Sequence, residues 1–278
     1  MRRSTRRGRL LGIIATLAVC AVTLALPAVS PQPAAAATHL VGGDVSWPNC
    51  PKGMGIPSRR SEGQPMPLST AKFVIIGLTN GPAFYVNPCL AAQVTWAKNR
   101  HLWTGAYSMT TYPTPYQVTR YGASGPHAHR YLWGKLWNVG YAQARYNVAS
   151  LRRAGLTVPF VWVDVEDYPV RPWSGNAEWN RQVVRGALAG YRALGYRVGV
   201  YSTPTQWARV VGSFRTRLPE WRTAGGTSMG AALGKCSSGQ FQGGPAVLAQ
   251  WWDAHRDYDV MCAGYGTRDA MRRYFHHY

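Results

Sequence analysis

Hydrophobic residues in this chain fall into short runs separated by longer amphipathic stretches. Runs of strand length occupy 40–45, 73–78, 103–109, 160–166 and 197–202, each bounded by turn-forming residues. Helical spacing fills 87–99, 137–153 and 176–194, and Gly155 and Gly195 close the last two. Asn87-Pro88 predicts a helix start with Asn as N-cap and Pro at the first helical position, and Thr203-Pro204 opens a shorter helix. Three more strands, around 221–224, 247–251 and 258–262, have less helical character between them. Strand–helix alternation is the rhythm of βα units on a parallel sheet. Eight strands with helices in the first five gaps predict an α/β fold, a single TIM-like barrel. The residues at the strands' carboxyl ends then form the site.

The strand at 160–166 carries the candidate chemistry. Val161, Val163 and Val165 make one apolar face, and Phe160, Trp162, Asp164 and Glu166 share the other. Two same-face carboxylates two residues apart lie ~6.5–7 Å from each other. Cleavage of a glycosidic bond needs one protonated carboxyl for the leaving oxygen and a negative group for the cationic transition state. A partly apolar wall holds one carboxyl neutral beside an ionised neighbour. Taken alone, such a pair reads equally as a helix cap or an arginine partner. Asp44 ends the first strand and Asp257 and Asp259 lie in the last. First and last strands are neighbours when a barrel closes, so these acids can face Asp164 and Glu166 across one mouth. Tyr107, Tyr201 and Trp251 each end a predicted strand, where aromatic faces can stack on sugar rings.

The chain's beginning changes the compartment. Five arginines lie within the first nine residues, an apolar run covers 10–26, and a Pro/Ala-rich exit ends at Ala37. This is the pattern of a cleavable secretory signal over 1–37, leaving a mature domain of 38–278 with no stable membrane insertion. Four cysteines follow it, Cys50, Cys89, Cys236 and Cys262, an even number suited to two disulfides, with three pairings open by count. No C-x-x-C or zinc-spaced His–Cys cluster occurs, so neither a metal nor another cofactor is expected. Five of the 31 basic residues and none of the 11 acids lie in the leader, which leaves a formal +15 on 38–278. That balance suits an anionic partner such as cell wall. The mature chain has no Lys/Arg-rich run, so nucleic acid is not expected. A secreted or wall-associated monomer is the expectation.

Six short motifs, in order and rough spacing, carry a resemblance. Asp44-Val45-Ser46, Gly105-Ala106-Tyr107, Asp164-Val165-Glu166, Gly199-Val200-Tyr201, Gln250-Trp251 and Tyr258-Asp259 resemble the strand-end motifs of glycoside hydrolase family 25. Those are secreted lysozymes on a (β/α)5β3 barrel that cut peptidoglycan after N-acetylmuramic acid. The resemblance implies Glu166 as general acid/base and Asp164 as the carboxylate that orients the substrate N-acetyl group for neighbouring-group attack. It implies Asp44 and Asp259 as supporting acids, with Tyr107, Tyr201, Trp251, Ser46 and Gln250 binding substrate. Peptidoglycan, or a related N-acetylated wall glycan, is then the expected partner. The stretches 51–69 and 110–134 stand outside the resemblance. Trp162 stands where a chitinase-type barrel would carry a further Asp. In the predicted layout Cys50 follows strand one and Cys89 opens the helix after strand two, while Cys236 and Cys262 flank strands seven and eight. Cys50–Cys89 and Cys236–Cys262 are therefore the expected pairs. Two other readings remain open at this point: a non-catalytic wall-binding module on the same barrel, and a metal-dependent phosphodiesterase built on the clustered acids with His127 and His129. A serine hydrolase is disfavoured, since no G-x-S-x-G occurs and Ser46 has no evident His partner.

Overall fold

A computed structural model of the chain describes residues 39–167 and 172–278. The expected signal segment over 1–37 lies outside the described residues. Eight strands close on themselves: β1 (Val41–Val45), β2 (Phe73–Gly77), β3 (Trp103–Met109), β4 (Phe160–Asp164), β5 (Arg197–Ser202), β6 (Glu220–Thr223), β7 (Ala246–Trp252) and β8 (Asp257–Met261). β1 to β7 pair in parallel, and β8 runs antiparallel to both β7 and β1. The barrel expected from the alternation is thus present, with one reversed strand at the closure. A two-residue strand β9 (His276–His277) adds antiparallel to the start of β3.

The helices are α1 (Leu90–Asn99), α2 (Pro115–Gly122), α3 (Leu132–Arg153), α4 (Ala177–Ala193), α5 (Pro204–Val211), α6 (Met229–Lys235) and α7 (Arg268–Tyr274). The first gap departs from expectation, for it holds only a 3-10 turn, Trp47–Asn49, before an irregular excursion. Asn87 is not the N-cap of α1. Its side chain donates to Gly77 O at 2.8 Å and to Gln93 Oε1 at 2.8 Å, which binds it to the end of β2, and the helix starts only at Leu90. α2 was not foreseen, although Thr114 caps it and Pro115 opens it, the same signal that correctly marked Thr203-Pro204. α3 starts five residues before its predicted boundary, and α6 occupies the sixth gap.

Alternation along the strands divides the apolar residues between two layers. Val74, Ile76, Val161, Val163 and Val200 pack outward under Val94, Leu151, Val184 and Leu188 of the helices. Phe73, Ile75, Phe160, Trp162, Trp221 and Leu248 fill the barrel, closed at its amino end by Met271, Tyr274 and Phe275. Burying each such side chain stabilises by roughly 1.5–3 kcal/mol. The bore is narrow enough that Gly199 is required: a Cβ there would lie 2.5 Å from the Trp162 ring. Trp162, wholly buried, stacks over Tyr274 with ring centres 6.1 Å apart and meets Trp221 edge-on at 6.0 Å. These rings form the floor beneath the carboxyl-end mouth.

The disulfides join Cys50 to Cys89 and Cys236 to Cys262, as expected. The first fastens the start of the excursion after β1 to the N-terminus of α1, and the second ties α6 to the end of β8. With sequence separations of 39 and 26, each is worth ~3–4 kcal/mol on the chain-entropy account.

Candidate active site

At the carboxyl ends of the parallel strands lies a pocket of about 390 Å³. β1 and β4 deliver Asp44 and Asp164 at their carboxyl ends, and Glu166 follows two residues beyond Asp164. The reversed β8 brings Asp257 to the mouth with its first residue. Because side chains alternate, Asp259 lies on the same face of β8 one layer deeper, fully buried. Five acids, Asp44, Asp164, Glu166, Asp253 and Asp257, thus line one pocket, and Asp259 supports it from below.

The hydrogen bonds fix orientations. Tyr201 donates its hydroxyl to Gln250 Oε1 at 2.7 Å, so the Gln250 amide nitrogen is turned to donate to Asp44 Oδ2 at 2.8 Å. Trp221 Nε1 donates to Asp259 Oδ1 at 2.8 Å. Glu166 accepts from Gln206 Nε2 at 3.3 Å, and its carbonyl accepts from Trp173 Nε1 at 2.7 Å. Asp164 is 3% exposed, and its Oδ1 has no hydrogen-bond partner among the described residues. An unpaired buried acceptor is costly, so this atom is placed for a donor that arrives with a ligand.

Burial raises Asp44, Asp164, Glu166, Asp257 and Asp259, while hydrogen bonds from His255, Tyr258 and Arg256 lower Asp253. Burial pushes Glu166 up to about 7, offset in part by the Gln206 hydrogen bond and helped by the charges of Asp167 and Asp257. Burial takes Asp44 up to about 6 against the bond from Gln250, and Asp257 up to about 8 with Asp44 and Asp253 adding to it. Asp164 rises well above the usual carboxylate range through burial and then the charges of Glu166 and Asp44. Asp259 does so through burial and then Asp44 and Asp257. Near neutral pH the cluster therefore holds protons as well as charge, the condition for acid catalysis.

The same shifts have a thermodynamic consequence. A carboxyl with a raised folded-state pKa binds its proton more tightly folded than unfolded, so stability falls as pH rises from about 4 through the folded value. For Asp257 that window runs from its ordinary value of 3.8 to about 8. Asp257→Asn cannot ionise, so its unfolding temperature is expected to fall less than the parent's between pH 5 and 8.5. Thermal unfolding at a series of pH values checks this, and parallel curves for the two proteins would contradict it.

Of the residues the sequence singled out, Asp44, Ser46, Tyr107, Asp164, Glu166, Tyr201 and Gln250 line the pocket. Asp259 sits beneath it. Trp251 does not enter it. Adjacent residues of a strand face opposite ways, so with Gln250 turned inward Trp251 turns outward, where it stacks on Tyr258 at 5.2 Å. Trp252 takes the inward place at the rim, 38% exposed. Asp257, which the sequence placed at the mouth, lines the pocket as well, whereas Trp252 is a lining residue that sequence reasoning missed, with the alternation from Gln250 as the available signal. Arg59 and Gln64 also line the pocket. They come from the 51–69 excursion, which Asn80 and Arg256 hold through bonds to Ile56, Arg59 and Met66. Asp167 lies apart from the lining and pairs with Arg209 at 3.2 Å. His127 belongs to the 110–134 segment, where Asn138 binds its backbone and Trp133 meets its ring edge-on. Among the described residues no group of three or more His, Cys, Asp or Glu is placed to hold a metal ion, and no helix is long and apolar enough to cross a membrane.

Fold and site together define an α/β barrel whose carboxyl-end mouth gathers carboxylic acids over an aromatic floor. Residues 130–226 match the family described as Lysozyme-like protein 1. The protein named probable GH family 25 lysozyme 5 of Dictyostelium discoideum is 36% identical over 56 residues, 20% of this chain. That match spans 26% of the relative's length. In fold the chain is similar to a muramidase from Acremonium alcalophilum (TM-score 0.54, 18% identity, 84% of this chain and 97% of that one). It is also similar to a bacterial lysozyme from Streptomyces coelicolor (TM-score 0.53, 18% identity, 86% and 98%). The chain thus shares its barrel fold with these two structures, and in short stretches its sequence is similar to lysozyme-like proteins.

Proposed function

We propose that this protein is a secreted lysozyme-like glycosidase that cleaves peptidoglycan, or a related N-acetylated wall glycan, with Glu166 as its acid/base. The observation that carries the reading is Glu166, its carboxyl pushed up to about 7, in one pocket with Asp164 and Asp44. Protonated Glu166 donates to the glycosidic oxygen as that bond breaks. The acetamido carbonyl of the same sugar attacks the anomeric carbon, while Asp164 Oδ1 accepts the acetamido N–H and steadies the developing positive charge. Glu166, now ionised, takes a proton from the water that opens the cyclic intermediate. Asp44, held by Gln250, keeps negative charge near the sugar ring, and Asp259 acts on it from below without touching substrate. Ser46, Tyr107 and Tyr201 offer hydroxyls, and Trp252 offers a ring face at the rim. Two disulfides and the leader pattern support export.

The test is digestion of purified peptidoglycan by the mature protein, with analysis of the released fragments. New reducing ends on N-acetylmuramic acid are expected, with turnover falling as pH rises through about 7 and Glu166 loses its proton. Binding without any release would instead favour a wall-binding module.

A further inference from the structure

The end of the barrel opposite the pocket carries a different chemistry. Around the start of β3 and the added strand β9 lie two depressions, of about 520 and 570 Å³, which share Trp103 and His277 in their walls. Lys72, Arg100 and His101 line the first, and Arg268, Arg272 and His276 the second. Lys72, Arg100, His101, Arg268, Arg272 and His277 are all exposed. Neither depression is lined by a carboxylate among the described residues. The acid on α7, Asp269, is an exposed partner of Arg272 at 3.7 Å. The acids Asp44, Asp164, Glu166, Asp253 and Asp257 lie instead around the mouth. Carboxylates are therefore gathered at the mouth, where Arg59 and Arg256 also stand, while the walls of these two hollows are basic without them.

Helix stability does not account for this concentration. Cations belong in the last turn of a helix, which suits Lys98 and Arg272. Arg268, however, is the first residue of α7, where the helix dipole opposes a positive charge, and Lys72 lies in the connection before β2. His276 is pushed below its ordinary pKa by burial and then by His277 and Lys98. Cations gathered against mutual repulsion favour an anionic partner. Guanidinium forks in two adjoining hollows fit repeated phosphates better than isolated carboxylates.

We infer that this amino-end face is a docking surface for a linear phosphodiester polymer of the cell wall, holding the protein on the wall while the opposite mouth meets the glycan. The choice of a wall polymer rests on the proposed hydrolase reading. The basic character of the two hollows stands without it.

The experiment measures binding of the full mature protein to synthetic poly(glycerol phosphate) between low and ~0.5 M salt, where screening removes exposed charge attraction. Arg100→Gln/Arg268→Gln/Arg272→Gln is compared with Arg120→Gln/Arg130→Gln, which changes the 110–134 segment. The first variant is expected to bind at least tenfold more weakly, with a shallower salt dependence by about two phosphate contacts. It should retain the parent's unfolding temperature and its hydrolysis of a short soluble muramic acid oligosaccharide. A second variant, Lys72→Gln/His277→Gln, should weaken binding in the same direction. Equal losses in the control, or no binding by the parent, would overturn the inference. So would tighter binding to single-stranded DNA of equal phosphate number, which would assign the face to nucleic acid. A parent that binds the polymer but cleaves no glycan would remove the hydrolase reading and leave the surface standing.

Discussion

Glu166→Gln is expected to lower turnover on peptidoglycan by about two to four orders of magnitude, the range lost with a positioned general acid. Folding and glycan binding should persist, because the amide has the carboxyl's shape and can still meet Gln206, which donates to Glu166 at 3.3 Å. Its unfolding temperature near pH 8 should be no lower than the parent's, since the change removes a group that burial disfavours when ionised. Stability gained while activity is lost separates a catalytic role from a structural one, which a drop in both would not. Asp167→Asn is the control. That side chain pairs with Arg209 outside the pocket and touches Glu166 only through its charge, so the variant should keep most activity. Kinetics on soluble fragments, with binding measured separately, check both. Undiminished turnover in Glu166→Gln would remove Glu166 from the mechanism.

The acidic half of the pocket was readable because it hangs on strands. A period of two fixes which side chains share a face, and closure of the barrel follows from the element count. Asp44, Asp164 and Glu166 needed only those two facts to fall at one mouth. The same rule, applied strictly, rejects the pairing of Gln250 with Trp251 and selects Trp252, and it puts Asp257 beside Asp259. Reading the motif as a unit hid Trp252, although Asp257 was already placed at the mouth. The 51–69 excursion is another matter. Arg59 and Gln64 reach the rim on irregular backbone held by Asn80 and Arg256, from distant parts of the chain. No local pattern encodes such a path. Gln206 reaches Glu166 from α5, which packs against α4, again a tertiary fact. Burial itself, which raises the carboxyl pKa values, depends on the aromatic floor of Trp162, Trp221 and Tyr274, and the sequence did not order these rings in depth.

Asp164→Asn is expected to cost turnover comparably, about two to three orders of magnitude, for a different reason, and substrate chemistry separates the two. In the proposed mechanism Glu166 serves the leaving oxygen, whereas Asp164 serves the acetamido group of the sugar whose bond breaks. Its Oδ1 is buried without a partner, so it is free to accept the acetamido N–H. In the transition state that nitrogen acquires positive charge, which favours the ionised Asp164 that burial opposes in the empty pocket, so the bond strengthens there more than in the ground state. An amide can present its oxygen but cannot take up the charge, so binding should be nearly unchanged while turnover falls. The variant should also be at least as stable as the parent at pH 7, because Asp164 is raised well above its ordinary range and its ionised form is the one that burial opposes. A glycan de-N-acetylated at that sugar lacks the internal nucleophile, so the parent should leave it uncut. Digesting matched acetylated and de-N-acetylated chains with parent, Asp164→Asn and Glu166→Gln settles the assignment. If the parent cleaves both chains at similar rates, the acetamido group is not the nucleophile and Asp164 must act directly on the anomeric carbon or on water. If only Asp164→Asn keeps its activity on the acetylated chain, Asp164 is a structural acid and the pocket works through Glu166 and Asp44 alone.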